Sequence, residues 1–164
     1  MKGFMETDMV VSVAIFLVFV IIMSITLSGQ LAVYKERSEK EMREAKARDT
    51  LNMMIRSPGY PERWDLNASS ITSFGLAYDS FFSRPALLDF RKINATSQLA
   101  YQKLKELNDA EDISILIEDK DLNVSYSFGQ QSQRKKISSV QMPIAIRYAY
   151  GNVSKGKITV TEWF

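Results

Sequence analysis

The first acidic residues of the chain, Glu6 and Asp8, stand immediately before its longest apolar stretch. Residues 9–27 read MVVSVAIFLVFVIIMSITL and contain no charged side chain. A carboxylate at the head of a helix embedded in lipid costs several kcal/mol unless a cation pairs with it. The chemistry that this spacing indicates is charge pairing at the end of an apolar helix.

The chain of 164 residues contains neither cysteine nor histidine. Disulfides, thiolate and imidazole metal sites and Ser-His-Asp or Cys-His catalysis are therefore excluded. Lys plus Arg number 21 and Asp plus Glu number 19, so the basic excess typical of nucleic-acid binding is missing. No phosphate-binding loop or nucleophile elbow occurs. We expect no enzyme activity, no catalytic or metal-binding residues, no cofactor and no nucleic-acid partner.

Three charged segments fail as sites. Asp119-Lys120-Asp121-Leu122-Asn123 begins like a calcium loop, but Val124 stands at the sixth position and Gln130 at the twelfth, so we expect a hairpin turn. Residues 108–112 form an acidic loop before a predicted strand, and residues 134–136 form a basic loop with only three charges. Asp109, Glu111 and Asp112 could hold a cation, but we expect an acidic cap before the strand, and we expect the basic loop to be solvated.

The apolar stretch is typical of a membrane span. As an α-helix, 19 residues cover about 28 Å, close to the ~30 Å hydrocarbon core of a bilayer. A soluble core helix is disfavoured because the stretch is apolar on every side, and a secretory signal because no small-residue cleavage site follows. We expect residues 9–27 to anchor the chain in a membrane.

A charged amphipathic helix is predicted for residues 28–57, continuing from the span. Acidic residues precede basic ones by four positions, which stabilises a helix. Pro58 and Gly59 end it. A thin apolar stripe is predicted along one side of this helix, from Leu31, Tyr34, Met42, Ala45, Leu51, Met54 and Ile55.

Residues 58–164 have the composition of a small α+β domain. Two short helices are predicted at residues 85–93, with Pro85 in the first turn, and 95–107. A shift to period two then predicts a meander of about four antiparallel strands at residues 113–118, 122–128, 137–150 and 157–164. Pro143 makes the third strand an edge, bulged or split. We expect the apolar stripe of the long helix to cover one face of this sheet.

Four of the six asparagines open an Asn-x-Ser/Thr triplet, the acceptor motif of N-glycosylation: Asn67, Asn94, Asn123 and Asn152. Each lies in a predicted loop or at an element end, where an acceptor must be exposed. The alternative is that turns are simply rich in Asn, Ser and Thr. As a set, the four triplets favour an extracellular domain, whereas the charges flanking the span give no direction.

The first eight residues, MKGFMETD, resemble the class III signal peptide of archaeal type IV pilin-like proteins. The resemblance implies a leader of residues 1–3, with processing at Lys2, Gly3 and Phe4, and a pilin-type N-terminus of residues 4–8. Asp8 then becomes the fifth mature residue, which is acidic in that family, although usually Glu. A neighbouring subunit's new α-ammonium on Phe4 would pair with Asp8, and Glu6 is an additional acid that could compete.

A second motif, Gly59-x-Pro61-x-x-Trp64 followed by Gly75-Leu76-Ala77, is similar to a pattern of the same family. Gly59 and Pro61 turn the chain, and Trp64 is large enough to anchor the turn on the core. The resemblance implies a pilin or minor pilin-like subunit of a cell-surface filament used in adhesion. Its partners would be membrane lipid, prepilin peptidase, the pilus assembly machinery and other pilin-like subunits.

Two other classes remain open on the residues alone. The first is an uncleaved single-pass membrane protein that displays an extracellular binding or sensory domain. The second is a membrane-tethered enzyme, which the lack of catalytic motifs disfavours.

Overall fold

The computed structural model describes residues 2–78, 86–130 and 137–163, with the side chains of residues 2–8 outside that description. The chain separates into two compact units, Met1–Glu41 and Met42–Phe164. The boundary falls inside α1, Lys2–Arg56. The second unit therefore starts earlier than the predicted domain and includes the last four turns of the helix.

The predicted long helix is confirmed. It ends at Arg56, just before Ser57-Pro58-Gly59, and the Ser57 amide still donates to the Met53 carbonyl at 3.0 Å. Residues 9–27 are exposed on every side of the first unit. The Thr26 hydroxyl donates to the Ile22 carbonyl at 2.9 Å, so this polar side chain is satisfied within its own helix.

The second unit is an α+β domain, as predicted at that level. Trp64–Leu66 and Ala68–Ser70 form single 3₁₀ turns, and two short helices follow, α2 (Phe90–Thr96) and α3 (Tyr101–Leu107). The strands are β1 (Leu87–Asp89), β2 (Asp112–Asp119), β3 (Val124–Gly129), β4 (Ile137–Arg147) and β5 (Val153–Trp163).

The sheet corrects two predictions. Its strand order is β1-β4-β5-β2-β3, so β5 lies between β4 and β2, and the strands do not form a meander. The pairs of β2, β3, β4 and β5 are antiparallel, but β1 pairs with β4 in parallel, which makes the sheet mixed. The predicted helix at residues 85–93 is wrong where β1 stands, and Pro85 lies outside the described residues. The second predicted helix begins only at Tyr101, after a turn.

Pro143 lies on the edge of β4 that faces away from β5, at a position that no strand of the described ranges pairs with there; an edge position is one of the arrangements that its presence predicted. Within β4, only Ala145 to Arg147 pair with β1. The Ala145 amide donates to the Ala86 carbonyl, on the side away from β5. Because alternate residues of a strand direct their amides to the same side, the Pro143 nitrogen also faces away from β5, where no β1 residue pairs with it.

The core lies between one face of the sheet and the helices. β2 alternates, with Ile113, Ile115 and Ile117 buried and the residues between them half-exposed. The end of α1 buries one face against this cluster, at Ala47, Thr50, Leu51, Met54 and Ile55. The predicted stripe is therefore right at Leu51, Met54 and Ile55. It is wrong at Met42 and Ala45, which are exposed, and the buried face begins instead at Ala47.

Candidate functional site

The predicted processing and assembly residues lie at the start of α1. The backbone of Lys2, Gly3, Phe4, Glu6 and Asp8 is helical, and their side chains lie outside the described residues. From Met9 onward the large apolar side chains are exposed, between 41% at Val20 and 71% at Met9. By length and composition this helix is a candidate membrane span, and none of the apolar window is buried within the chain.

The turn after α1 is organised around Trp64, whose side chain is fully buried. Its indole N–H lies 3.1 Å from the Pro58 carbonyl and 3.0 Å from the Gly75 carbonyl. One donor therefore joins the chain that leaves the helix at Pro58 to the chain that returns at Gly75, seventeen residues later. The ring also packs against Phe74, with 5.7 Å between centroids.

Gly59 and Gly75 lie where the chain passes too close to its neighbours to leave room for a side chain. At Gly75 a Cβ would lie 2.2 Å from the Ser57 carbonyl oxygen and 2.5 Å from the Gly59 nitrogen. Gly59 has a φ of +78°, and its Cβ would meet Trp64 Nε1 at 2.7 Å. Main-chain bonds tie the same segments, from the Leu76 amide to Met54 and from the Ala77 amide to Ser57. The residues of the motif, Gly59, Pro61, Trp64 and Gly75-Leu76-Ala77, thus lie together in one group, which we call the Trp64 cluster.

Lys92, on α2, also contacts the Trp64 cluster. Its side chain is 1% exposed, and its Nζ donates to the Pro58 carbonyl at 2.7 Å and to the Ala77 carbonyl at 2.9 Å. Burial lowers the pKa of Lys92, while nearby carboxylates, Asp89 foremost, oppose that effect. Sequence reasoning missed this residue, because a lysine in a short helix normally faces water.

Asp119 binds together three strand ends. One carboxyl oxygen accepts from the amides of Asp121 and Leu122 at 3.0 Å each, and the other accepts from the hydroxyls of Tyr148 and Ser154. Burial alone would raise the pKa of Asp119, but these hydrogen bonds together lower it. The segment is the hairpin turn that the sequence predicts, and the carboxylate is already saturated by donors.

Glu162 is a buried acid that the sequence did not single out. It is 1% exposed and lies beside Ser138 on the neighbouring strand. Within the described part of the chain, neither its carboxyl oxygens nor the Ser138 hydroxyl has a hydrogen bond of ordinary geometry. Burial raises the pKa of Glu162, and the nearby Thr50 hydroxyl and Lys46 ammonium offset part of that rise.

The four triplet asparagines are all exposed and do not form one site. Asn67 separates the two 3₁₀ turns, and Asn94 lies on α2. Asn123 and Asn152 belong to the β2–β3 and β4–β5 turns. The Ser or Thr residues of the four triplets differ in burial.

The hydrogen bonds of these groups join distant parts of the domain to each other. Lys92 donates to two main-chain carbonyls and Asp119 accepts from two amides and two hydroxyls, and no group of three acidic residues in the described ranges could hold a metal ion. Comparison of the chain with protein-family models, with curated proteins and with solved structures found no match.

Proposed function

We propose that this protein is a structural subunit, a pilin or minor pilin-like component, of an archaeal type IV pilus-like surface filament, anchored in the membrane before assembly. The observation that carries the proposal is the apolar stretch of α1, residues 9–27, which is exposed on every side and follows Asp8 directly. Its exposed valine, isoleucine, leucine and phenylalanine side chains need lipid or other helices around them.

The size of the uncovered surface supports a permanent apolar environment. Removing one such side chain from water contributes about 1.5–3 kcal/mol. A bilayer covers the segment in the unassembled subunit. In a filament, the same segment of neighbouring subunits replaces the lipid, since side-by-side packing buries the same surface.

Asp8 gives this packing an axial register. Cleavage after Gly3 leaves an α-ammonium on Phe4, and a carboxylate at the head of an apolar helix is costly unless a cation pairs with it. Pairing Asp8 of one subunit with Phe4 of the next satisfies both charges. A shift of the helices along each other breaks the pair.

The domain suits the proposal because its core is built on the same helix. Leu51, Met54 and Ile55 are buried among the sheet residues of the second unit. In the Trp64 cluster, the indole N–H bonds the carbonyls of Pro58 and Gly75 and so stabilises the turn that follows Arg56. The folded unit of the proposed subunit therefore includes the last turns of α1 in its own core.

The assembly role is tested with charge variants in the producing cell. We expect Asp8→Ala to be processed normally but to enter the sheared surface fraction at least tenfold less than the unaltered chain, because the register pair is lost. Glu6→Ala is the matched control, a carboxylate removed two residues away, and should assemble. Asp8→Glu should restore assembly. Normal assembly of Asp8→Ala would contradict the role of the carboxylate.

The second candidate is an uncleaved single-pass protein that displays an extracellular binding or sensory domain. It is favoured by the internal satisfaction of Thr26, because a span whose hydroxyl bonds its own helix can lie in lipid alone. The fate of Gly3 separates the two. Gly3→Phe should block trimming and assembly of a pilin and leave a simple anchor unchanged.

A further inference from the structure

The four Asn-x-Ser/Thr triplets fall into two structural classes. All four asparagines are exposed, so exposure of the acceptor does not separate them. The second recognised group is the hydroxyl two residues later, which an N-glycosylating enzyme must also reach. In two triplets this hydroxyl is on the surface, and in two it is part of the interior.

The open class comprises Asn67 with Ser69 and Asn123 with Ser125. Ser69 is exposed, and its hydroxyl donates to the side-chain oxygen of Asn67 at 2.6 Å, so both groups lie together on the surface. Asn123 has a φ of +53° in the tight β2–β3 turn, and Ser125 is exposed on β3, an edge strand of the sheet.

The closed class comprises Asn94 with Thr96 and Asn152 with Ser154. Thr96 is 3% exposed and donates to the Lys92 carbonyl at 2.8 Å inside α2. Ser154 is 6% exposed and donates to the buried Asp119 carboxylate. Releasing either hydroxyl opens a buried hydrogen bond, which costs about 1–3 kcal/mol for the group left unpaired. At Asn152 the backbone is also held, because its carbonyl accepts from the Tyr148 amide at 2.9 Å.

We propose that the folded domain is an N-glycosylation substrate at Asn67 and Asn123 and withholds Asn94 and Asn152. The inference rests on the outward orientation that both candidate functions share. In the reaction, the Asn Nδ2 forms a bond to the anomeric carbon of a lipid-phosphate-linked sugar. The bond from that carbon to the phosphate oxygen breaks, the lipid phosphate leaves with the electron pair, and an enzyme base takes the amide proton.

If the fold decides which triplets are modified, the enzyme must act after the domain has folded. An unfolded chain presents all four triplets alike, so modification before folding would fill them without distinction. Glycans on Asn94 and Asn152 would not be excluded by crowding, because both side chains reach solvent. Their occupancy therefore reports whether the buried hydroxyls were available when the enzyme acted.

Glycopeptide mass spectrometry of the native full-length protein tests the proposal. We expect glycan at Asn67 and Asn123 and unmodified peptides at Asn94 and Asn152. Ser69→Ala should remove one glycan and Ser69→Thr should keep it, whereas Thr96→Ala should leave the glycan mass unchanged. Comparable occupancy at Asn94 or Asn152, or no glycan at Asn67 and Asn123, would overturn it.

The same spectra keep this inference separate from the proposed function. A chain that starts at Phe4 and assembles with all four triplets occupied would retain the pilin proposal and overturn the selection by folding. A chain that starts at Met1 with glycan only at Asn67 and Asn123 would do the reverse.

Discussion

The two tryptophans of the chain are both buried, but only one has a partner for its indole N–H. Trp64 donates to two carbonyls, whereas Trp163 Nε1 has no hydrogen-bond partner among the described residues. We expect Trp64→Phe to lower the free energy of unfolding by about 2–4 kcal/mol, because two carbonyls lose their donor and a small cavity forms. Trp163→Phe is the matched control and should cost about 1 kcal/mol, mainly from packing. Urea unfolding of the folded domain measures both, and equal losses would contradict the bridging role.

Glu162 and Asp119 predict opposite dependences of stability on pH. The pKa of Glu162 is raised in the folded state, so its contribution is present below the unfolded pKa of about 4.5 and is lost as pH rises through the folded value. The pKa of Asp119 is lowered, so its contribution is present above about 3.8 and is lost as pH falls.

Glu162→Gln isolates the first of these effects. We expect it to raise the free energy of unfolding at pH 7 by about 1–3 kcal/mol, since the raised pKa means that ionisation of this carboxyl disfavours the folded state, and to have little effect near pH 4. Glu118→Gln is the control, because Glu118 is on the other sheet face and pairs with Lys157 at 2.8 Å. That variant should lose at most about 1 kcal/mol. Denaturation series at several pH values make the measurement, and an unchanged pH profile in Glu162→Gln would show that this carboxyl is not the source.

At the scale of elements, the Trp64 cluster that follows α1 depends on close contact between the backbone at Gly75 and the backbone of Ser57 and Gly59. We expect Gly75→Ala to destabilise the domain by about 3 kcal/mol or more, because its Cβ would overlap the main chain of Ser57 and Gly59. Gly151→Ala is the control. It carries a positive φ of +82° but meets open space, so only the strain of about 1–2 kcal/mol applies. Thermal unfolding followed by circular dichroism compares them, and a smaller loss at Gly75 than at Gly151 would show that the segments can separate.

Local pattern predicted the elements whose periodicity is long enough to read. The helix to Arg56 and four of the strands follow from apolar runs and alternation. β1 has only three residues, and its partner in β4 lies 58 positions away, from Leu87 to Ala145. No local signal specifies such a pairing, which is why the sheet was expected to be antiparallel.

The order of the strands and the polar centres depend on contacts between distant residues in the same way. β5 pairs with both β4 and β2, and the apolar pattern along a strand does not specify which two strands lie beside it. Lys92 and Glu162 were missed because their neighbours come from other elements. The apolar stripe was correct only where the sheet actually covers the helix, from Ala47 onward.

At the scale of the molecule, the boundary between the units predicts which fragment folds. Residues 42–164 contain every member of the buried core, the first of which is Ala47. We expect this fragment to be soluble and to unfold cooperatively. Residues 57–164 lack Leu51, Met54 and Ile55, each worth about 2–5 kcal/mol in a core, and their sum is comparable to the whole stability of a typical domain, about 5–15 kcal/mol.

Thermal melts and the dispersion of amide NMR signals distinguish the two fragments. A cooperative transition in residues 42–164 and none in residues 57–164 is the expected pair of results. Cooperative folding of the shorter fragment would show that the helix is an attachment and not a part of the core.

The proposed filament depends on a processed end that can pair with Asp8 of a neighbour. Intact mass and N-terminal sequencing of the protein purified from its native surface fraction test this most directly. We predict a chain that begins at Phe4, recovered with copies of itself or related subunits. A chain that begins at Met1 and is recovered singly from the membrane would contradict the proposal.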